Sequence, residues 1–423
     1  MLPGLPVVQL KPMPLDTPEF EEKRAALLEA FAAKVPKEMR LPLGVIQNPL
    51  TDVSSIPTTC GILSPEEIII TENYDAVGLI EAIACRKHTA VAVAQAFCKH
   101  HIQVAGTSSS QGCFISISDD DQDADVVSIL RAQGAIIYCK TNQPQSLMHL
   151  ESDSHWGRVL NPFSIHQSAG GSTGGESVLI AIKGSILGIG TDIGGSIRGP
   201  SAFCGIYGFK TTSNVLPTRG VGIISNDGFI EPQPPVKRAI SWARSLLSDS
   251  KFTNLIELKE FRIFGAEEAW NLVRRLYSPD GGHLTKNGII SSGEPLHPLT
   301  EWIYKNAEPL GMYTTVDLTA VHKERNDFRL AFAKSWSDQD VDVIIGPSFV
   351  GPACAHDTAF YWTYTSLYNL VDYPGAVIPT PIRAESGEVY NTDYVPLSDA
   401  CRHVKDLWEE SDFGGICRDT KCS

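Results

Sequence analysis

Two stretches decide how this chain is read: Ala169-Gly-Gly-Ser-Thr-Gly-Gly-Glu176 and, one helical pattern later, Gly188-Ile-Gly-Thr-Asp-Ile-Gly-Gly-Ser-Ile-Arg198. Glycine-rich runs make tight turns, and they also let a backbone approach a bound group, as in phosphate-cradling loops. Neither phosphate pattern fits here. There is no Gly-x4-Gly-Lys-Ser/Thr, and Gly188, Gly190 and Gly194 keep only part of a dinucleotide fingerprint. The two runs do each carry a serine among glycines, Ser172 and Ser196. A serine hydroxyl attacks a carbonyl only when a neighbouring base takes its proton.

Working outward, local patterns predict a layered α/β chain. Pro18 with Glu19, Glu21 and Glu22 behind it suits a helix start, and Leu27, Leu28, Phe31 and Val35 continue it. Ser64-Pro-Glu-Glu67 has the form of a capping box for a short helix. Helical patterns follow over 75–85 and 89–98, the second with Ala90, Val93, Ala94 and Phe97 on one face. Ile102 and Val104 then alternate as in a strand, and Gly106 to Gly112 is rich in turn residues. Residues 124–133 read as a helix feeding a strand at Ala135–Cys139. Further on come a helix over 234–248, a Gly/Ser loop near 280–293, a long helix over 317–336 and a strand at Val341–Ile345. An aromatic-rich helix over 360–372 precedes a strand at Ala376–Pro379.

Composition narrows the partners. Of 423 residues, 43% are hydrophobic and 20% charged, an ordinary globular balance that can support a large core. The formal charge of −14 disfavours nucleic acid and anionic membrane surfaces, both of which select basic proteins. The first residues lack the basic-then-apolar pattern of a secretory signal, and no apolar run reaches the ~18–20 residues of a membrane span. Ten cysteines without Cys-x-x-Cys spacing suggest reduced thiols in a cytoplasmic setting. The pattern calls for no metal and no cofactor.

The paired loops resemble the amidase signature family, hydrolases that use a Ser–cis-Ser–Lys triad. Residues 170–175 match its Gly-Gly-Ser-Ser-Gly-Gly with Thr173 for the second serine, and 190–198 match its Gly-Thr-Asp-Ile-Gly-Gly-Ser-Ile-Arg throughout. Pro200 to Lys210 continue the family pattern. Ile70–Asp75, Lys140–Ser146, Ser292–Leu296 and Tyr364–Pro374 look like stretches of the fungal acetamidase-like branch. The resemblance implies a single large α/β domain, a mixed twisted sheet covered by helices on both faces, over residues 61–423. An N-terminal helical arm over 1–60 would precede it, and the core signature would lie at 165–215. It also implies hydrolysis of a small carboxamide to acid and ammonia or amine through an acyl-serine. Ser196 would be the nucleophile and Ser172 the relay. The N–H groups from Ile193 through Gly194 and Gly195 to Ser196 would form the oxyanion hole. Leu147 would sit near the acyl pocket. Asp192 and Arg198 read as organisers of the loop rather than as participants. The expected partner is a small-molecule amide; the oligomeric state is left open.

Several family segments are missing. Lys99 and Gly106 keep the seven-residue step of the family's lysine and a following glycine, but the strand that should carry the lysine is absent. Phe97-Cys98-Lys99 completes a helix instead. Lys99 is therefore either the catalytic lysine or a basic residue at a helix C-terminus, where lysine is common. A second segment is missing after Gly220, and Arg418–Ser423 does not continue the family's last strand and helix. A base can work in this site only if its burial disfavours the ammonium form. The alternative to an active amidase is thus an amidase-like protein lacking a properly placed lysine.

Overall fold

The computed structural model describes residues 17–36, 39–47, 49–101, 125–211, 220–250, 252, 256–305, 311–385 and 387–410. The helical start forms as α1 (Pro18–Lys34), followed by the short α2 (Leu43–Gln47) and α3 (Ile56–Thr59). The capping box forms in full at α4 (Pro65–Glu72): the Ser64 hydroxyl accepts from Glu67 N–H at 3.3 Å, and the Glu67 carboxylate accepts from Ser64 N–H at 2.8 Å. Then come α5 (Ala76–Ala84), capped by Asp75, and α6 (Ala90–His101). Ile70, Leu79, Val93, Ala96 and Phe97 lock α4, α5 and α6 into one apolar cluster. The predicted strand and turn at 102–112 lie outside the described residues.

Past α7 (Asp125–Ala132) the expected strand Ala135–Cys139 joins no ladder among the described residues. A strand is held by hydrogen bonds to a neighbour, and here Ile136 is 58% exposed. Two hairpins follow, β1 (Asp153–Ser154) with β2 (Gly157–Arg158), and β3 (Leu160–Asn161) with β4 (Ser164–Ser168). Helices α8 (Gly174–Ala181) and α9 (Arg198–Cys204) bracket the second glycine loop. Strand β5 (Gly208–Lys210) ends this region, and β6 (Gly220–Ile223) begins the second half of the fold.

That half contains α10 (Pro234–Leu247), β7 (Glu257–Glu260), α11 (Ala266–Tyr277), α12 (His283–Ser291), α13 (Pro298–Lys305), α14 (Thr315–Asp338), β8 (Val343–Ile345), α15 (Thr363–Leu370), β9 (Gly375–Val377) and α16 (Asp399–Glu410). The Gly/Ser stretch expected as a loop is largely helix α12, because only its ends carry the turn glycines Gly281, Gly282 and Gly293 in the left-handed region. Strands β7, β6 and β8 form a parallel sheet in that order, and β5 pairs with β9 antiparallel. Parallel and antiparallel ladders are thus both present, divided among four small sheets among the described residues. The class is α/β. The main core joins Phe203, Ile230, Trp270, Leu299, Phe349 and Trp362, so α9, α11, α13 and the start of α15 share one interior. A second cluster of Leu272, Phe328, Phe332 and Leu367 fastens α11 to α14 and α15. These helices form the wall behind the glycine loops.

Candidate active site

Strand β4 delivers the chain into the first loop. The peptide between Gly171 and Ser172 is cis, and Ser172 is buried. A residue with no sequence signal holds this turn from below. The Ser152 hydroxyl accepts from Gly174 N–H at 3.0 Å and faces the carbonyls of Gly170 at 3.0 Å and Ser172 at 3.2 Å. Thr173 N–H then donates to the Ser196 carbonyl at 3.1 Å. That bond ties the two glycine loops together and brings the two buried serines into one site.

The second loop is wound around a buried carboxylate. Asp192 accepts from the N–H groups of Gly195 at 2.9 Å and of Ile197 and Arg198 at 3.2 Å. It also accepts from Arg198 Nε at 3.0 Å and Nη2 at 2.9 Å, and from Asn369 Nδ2 at 3.0 Å. Burial alone would raise its pKa; the Arg198 guanidinium, Asn369 and the backbone donors outweigh that and hold it below the ordinary carboxylate range. Arg198, itself buried, continues to the Thr365 carbonyl at 2.9 Å and Asn369 Oδ1 at 2.5 Å. Asp192 and Arg198 are therefore organisers of the loop, and α15 is their anchor.

Glycine is required at two positions of this loop. Gly195 has φ +130°, and a Cβ there would lie 2.2 Å from Thr365 Oγ1. A Cβ on Gly194 would meet the Tyr277 hydroxyl at 2.7 Å and Trp362 Nε1 at 3.1 Å. Thr365 and Tyr277 instead donate to the carbonyls of Gly194, at 2.6 Å, and of Ile193. With both carbonyls turned outward to these hydroxyls, the N–H groups of Ile193, Gly194 and Ser196 keep no acceptor within the described residues. The N–H of Gly195 differs from expectation, since Asp192 already holds it. The N–H groups this loop leaves uncommitted among the described residues are those of Ile193, Gly194 and Ser196.

Lys99 does not join this group. It lies in the last turn of α6, and its ammonium pairs with Glu67 of α4 at 2.6 Å. No hydrogen bond links it to Ser172 among the described residues. The physical reason is local: helix α6 runs on through residues 99–101, so the lysine points along a helix surface rather than from the end of a strand. Glu67 responds to the contact. Burial opposes its ionisation, but Lys99 and the Ser64 cap lower its pKa. Leu147 ends a short 3₁₀ turn at Gln145–Leu147 with φ +62°, half-buried. It is two residues before the His149–Ser152 segment that runs beneath the Ser172 loop.

Two further groups escaped the sequence reading. Glu176, on the first turn of α8, is pushed up to about 7 by burial, partly offset by Thr141 at 3.3 Å. Behind Ser152, Asp153, His297 and Asp357 converge closely enough to hold a cation. Arg158 already supplies the charge there, at 2.7 Å from Asp153 and 2.5 Å from Asp357. His356 and Glu151 close the network at 2.5 Å.

The chain is similar to proteins already described. Residues 96–226 match the family model described as Amidase. A putative amidase of Schizosaccharomyces pombe is 29% identical over 500 residues, covering 92% of each chain, a span longer than this chain and so containing segments it lacks. Fatty-acid amide hydrolase 1 of Sus scrofa is 45% identical over 404 residues, covering 74% of this chain and 67% of its own. The acetamidase of Emericella nidulans is 23% identical, with 94% of both chains covered. A solved structure of fatty acid amide hydrolase superposes with a TM-score of 0.80 at 22% identity, covering 96% of this chain and 90% of that one. Together with the paired serine loops, these matches settle the family: the chain belongs to the amidase signature family, hydrolases acting on amide bonds.

Proposed function

We propose that this chain hydrolyses a small carboxamide to its acid and ammonia or amine through an acyl-Ser196 intermediate. The observation that carries this is the Thr173 N–H to Ser196 carbonyl bond, which holds two buried serines in one site beside uncommitted N–H donors. Ser196 Oγ adds to the amide carbon as its proton passes to Ser172 and onward to the base. The N–H groups of Ile193, Gly194 and Ser196 receive the developing oxyanion. Collapse expels the amine with the returned proton, and water then cleaves the ester in the reverse sense. Relatives named acetamidase and fatty-acid amide hydrolase support an acyl amide as substrate without fixing its length.

Lys99 is the base in this scheme, and it must first leave Glu67. The Lys99–Glu67 pair favours a second reading, an amidase-like protein that binds carbonyl ligands and turns them over poorly. Cys85, Cys98, Cys139, Cys204 and Cys401 carry unbridged thiols, in keeping with the reducing setting proposed for the chain. No helix among the described residues is long and apolar enough to cross a membrane.

A fluorophosphonate probe, with peptide mapping, tests the nucleophile: labelling of Ser196 is expected. A folded protein that stays unlabelled would falsify the active reading. Ammonia release from acetamide and benzamide tests the base. Lys99→Ala should abolish turnover; unchanged turnover would remove Lys99 from the mechanism.

A further inference from the structure

The α11 face that meets the oxyanion loop carries Trp270, Arg274 and Tyr277, spaced i, i+4 and i+7 so that they share one side of the helix. Tyr277 touches the loop directly, donating to the Ile193 carbonyl. Trp270 meets it through Trp362: their rings stand edge to face at 4.9 Å, and Trp362 Nε1 is the atom that closes on Gly194. Arg274 lies between these contacts, its guanidinium carbon 5.4 Å from the Trp270 ring centroid. Among the described residues no carboxylate pairs with it and no acceptor receives its N–H groups, and Nη2 is occluded without a partner. Arg198, Arg158 and Arg238, by contrast, each pair with a carboxylate.

A partly buried guanidinium without an acceptor is costly, because desolvation is uncompensated. Burial accordingly lowers its pKa, against the opposing influence of Tyr361. A ring face beneath it recovers only part of the lost hydration. Guanidinium geometry suits a planar carboxylate, held by two parallel N–H bonds. We infer that Arg274 is a substrate-binding residue that takes the carboxylate of an anionic amide, so that the preferred substrates are carboxamides bearing a second, acidic group. The inference rests on the active site proposed above. The amide carbonyl would lie at the N–H groups of the 193–196 loop, on the side of α11 that carries Arg274 and Tyr277. Arg274 would then match charge in the bound state alone, which selects substrate without entering the chemistry.

The test compares matched pairs on the full chain: succinamate against butyramide, and 4-carbamoylbenzoate against benzamide. In at least one pair, kcat/KM is expected to favour the anion by about tenfold or more. Arg274→Met, which keeps the stacked alkyl stem, should bring that ratio close to one, and Arg274→Lys should fall between. No preference in either pair overturns the inference, as does a preference that survives Arg274→Met. Inorganic phosphate and acetate separate a substrate carboxylate from a general anion site. If they compete but the anionic amides gain nothing over their neutral partners, Arg274 binds free anions and the inference fails. Calorimetric binding of 4-carbamoylbenzoate and benzamide to Ser196→Ala gives the same ratio without turnover. A chain that fails to label with fluorophosphonate can therefore still confirm or refute Arg274, and the two failures are distinguishable.

Discussion

Replacing Asp192 with Asn should destabilise the chain by about 3–5 kcal/mol, the cost of stripping one partner from a buried ion pair. The geometry fixes why the isosteric change is not mild. One carboxylate oxygen receives Gly195 N–H, Arg198 Nη2 and Asn369 Nδ2; the other receives the N–H groups of Ile197 and Arg198 and Arg198 Nε. Whichever oxygen becomes the amide nitrogen, three donors lose an acceptor and face another donor. Summing these at ~1.5–3 kcal/mol each would overshoot, since they share one atom and are not independent. The single buried-pair figure is the safer scale, and it is a large part of a typical ~5–15 kcal/mol margin. Urea unfolding followed by tryptophan fluorescence reads the change, and fluorophosphonate labelling at low urea reads whether the 193–196 loop keeps its shape. The pH dependence supplies a second handle. The folded pKa of Asp192 lies below its unfolded value, so its stabilisation is complete above the unfolded value of about 3.9. It is lost as pH falls through the lower, folded value. Wild-type acid unfolding should therefore carry a component below about pH 4 that Asp192→Asn lacks. A stability loss under about 1 kcal/mol, the scale of an exposed pair, would refute the account of Asp192 as the hub of the loop.

Two other substitutions probe the same site from different sides. Ser152→Ala leaves the buried Gly174 N–H without its acceptor, so a loss of about 1–3 kcal/mol and roughly tenfold slower labelling of Ser196 are expected; unchanged labelling would make Ser152 purely a packing residue. Glu176 has its folded pKa raised to about 7 by burial, so the native state keeps a proton that the unfolded chain releases from about pH 4.3 upward. Stability should fall as pH rises from 5 to 7, and Glu176→Gln should flatten that slope in urea midpoints measured across the range.

What was legible in the sequence was local chemistry. The Ser64–Glu67 box and the turn that Asp192 closes with Gly195, Ile197 and Arg198 are written in short stretches whose hydrogen bonds close within a few residues, and the structure forms both. Partners distant in the chain were not legible. Ser152 stands 20 residues from the Ser172 carbonyl it faces, and Thr365 stands 171 from Gly194. Nothing in their neighbourhoods marks them, because a single buried hydroxyl needs no motif. Gly195 misled for a related reason. Its place in the oxyanion loop is readable, but whether its N–H faces substrate or turns inward depends on where the Asp192 carboxylate sits three residues away. Ala135–Cys139 shows the limit for strands: its apolar pattern is right for a sheet, yet a ladder needs a neighbour, and a pattern cannot supply one.

The same logic identifies what keeps Lys99 from the serines. Its ion pair with Glu67 is one restraint, the lysine side chain being 32% and the glutamate side chain 15% exposed. The helix is another. Phe97 packs on Ile70, Leu79 and Val93, and that packing sets the rotation of the last turn and hence the direction of the residue two positions on. Glu67 is in turn fixed by its bond to Ser64 N–H, so it receives the lysine without reorganising. Helix α6 continues to His101, so releasing Lys99 from the helix surface would give up terminal helix hydrogen bonds. A helix end frays more readily than its middle, because its last carbonyls have no partner within the helix. In the proposed scheme the end of α6 is therefore where Lys99 would have to come free of Glu67, and turnover by Lys99→Ala decides whether it does.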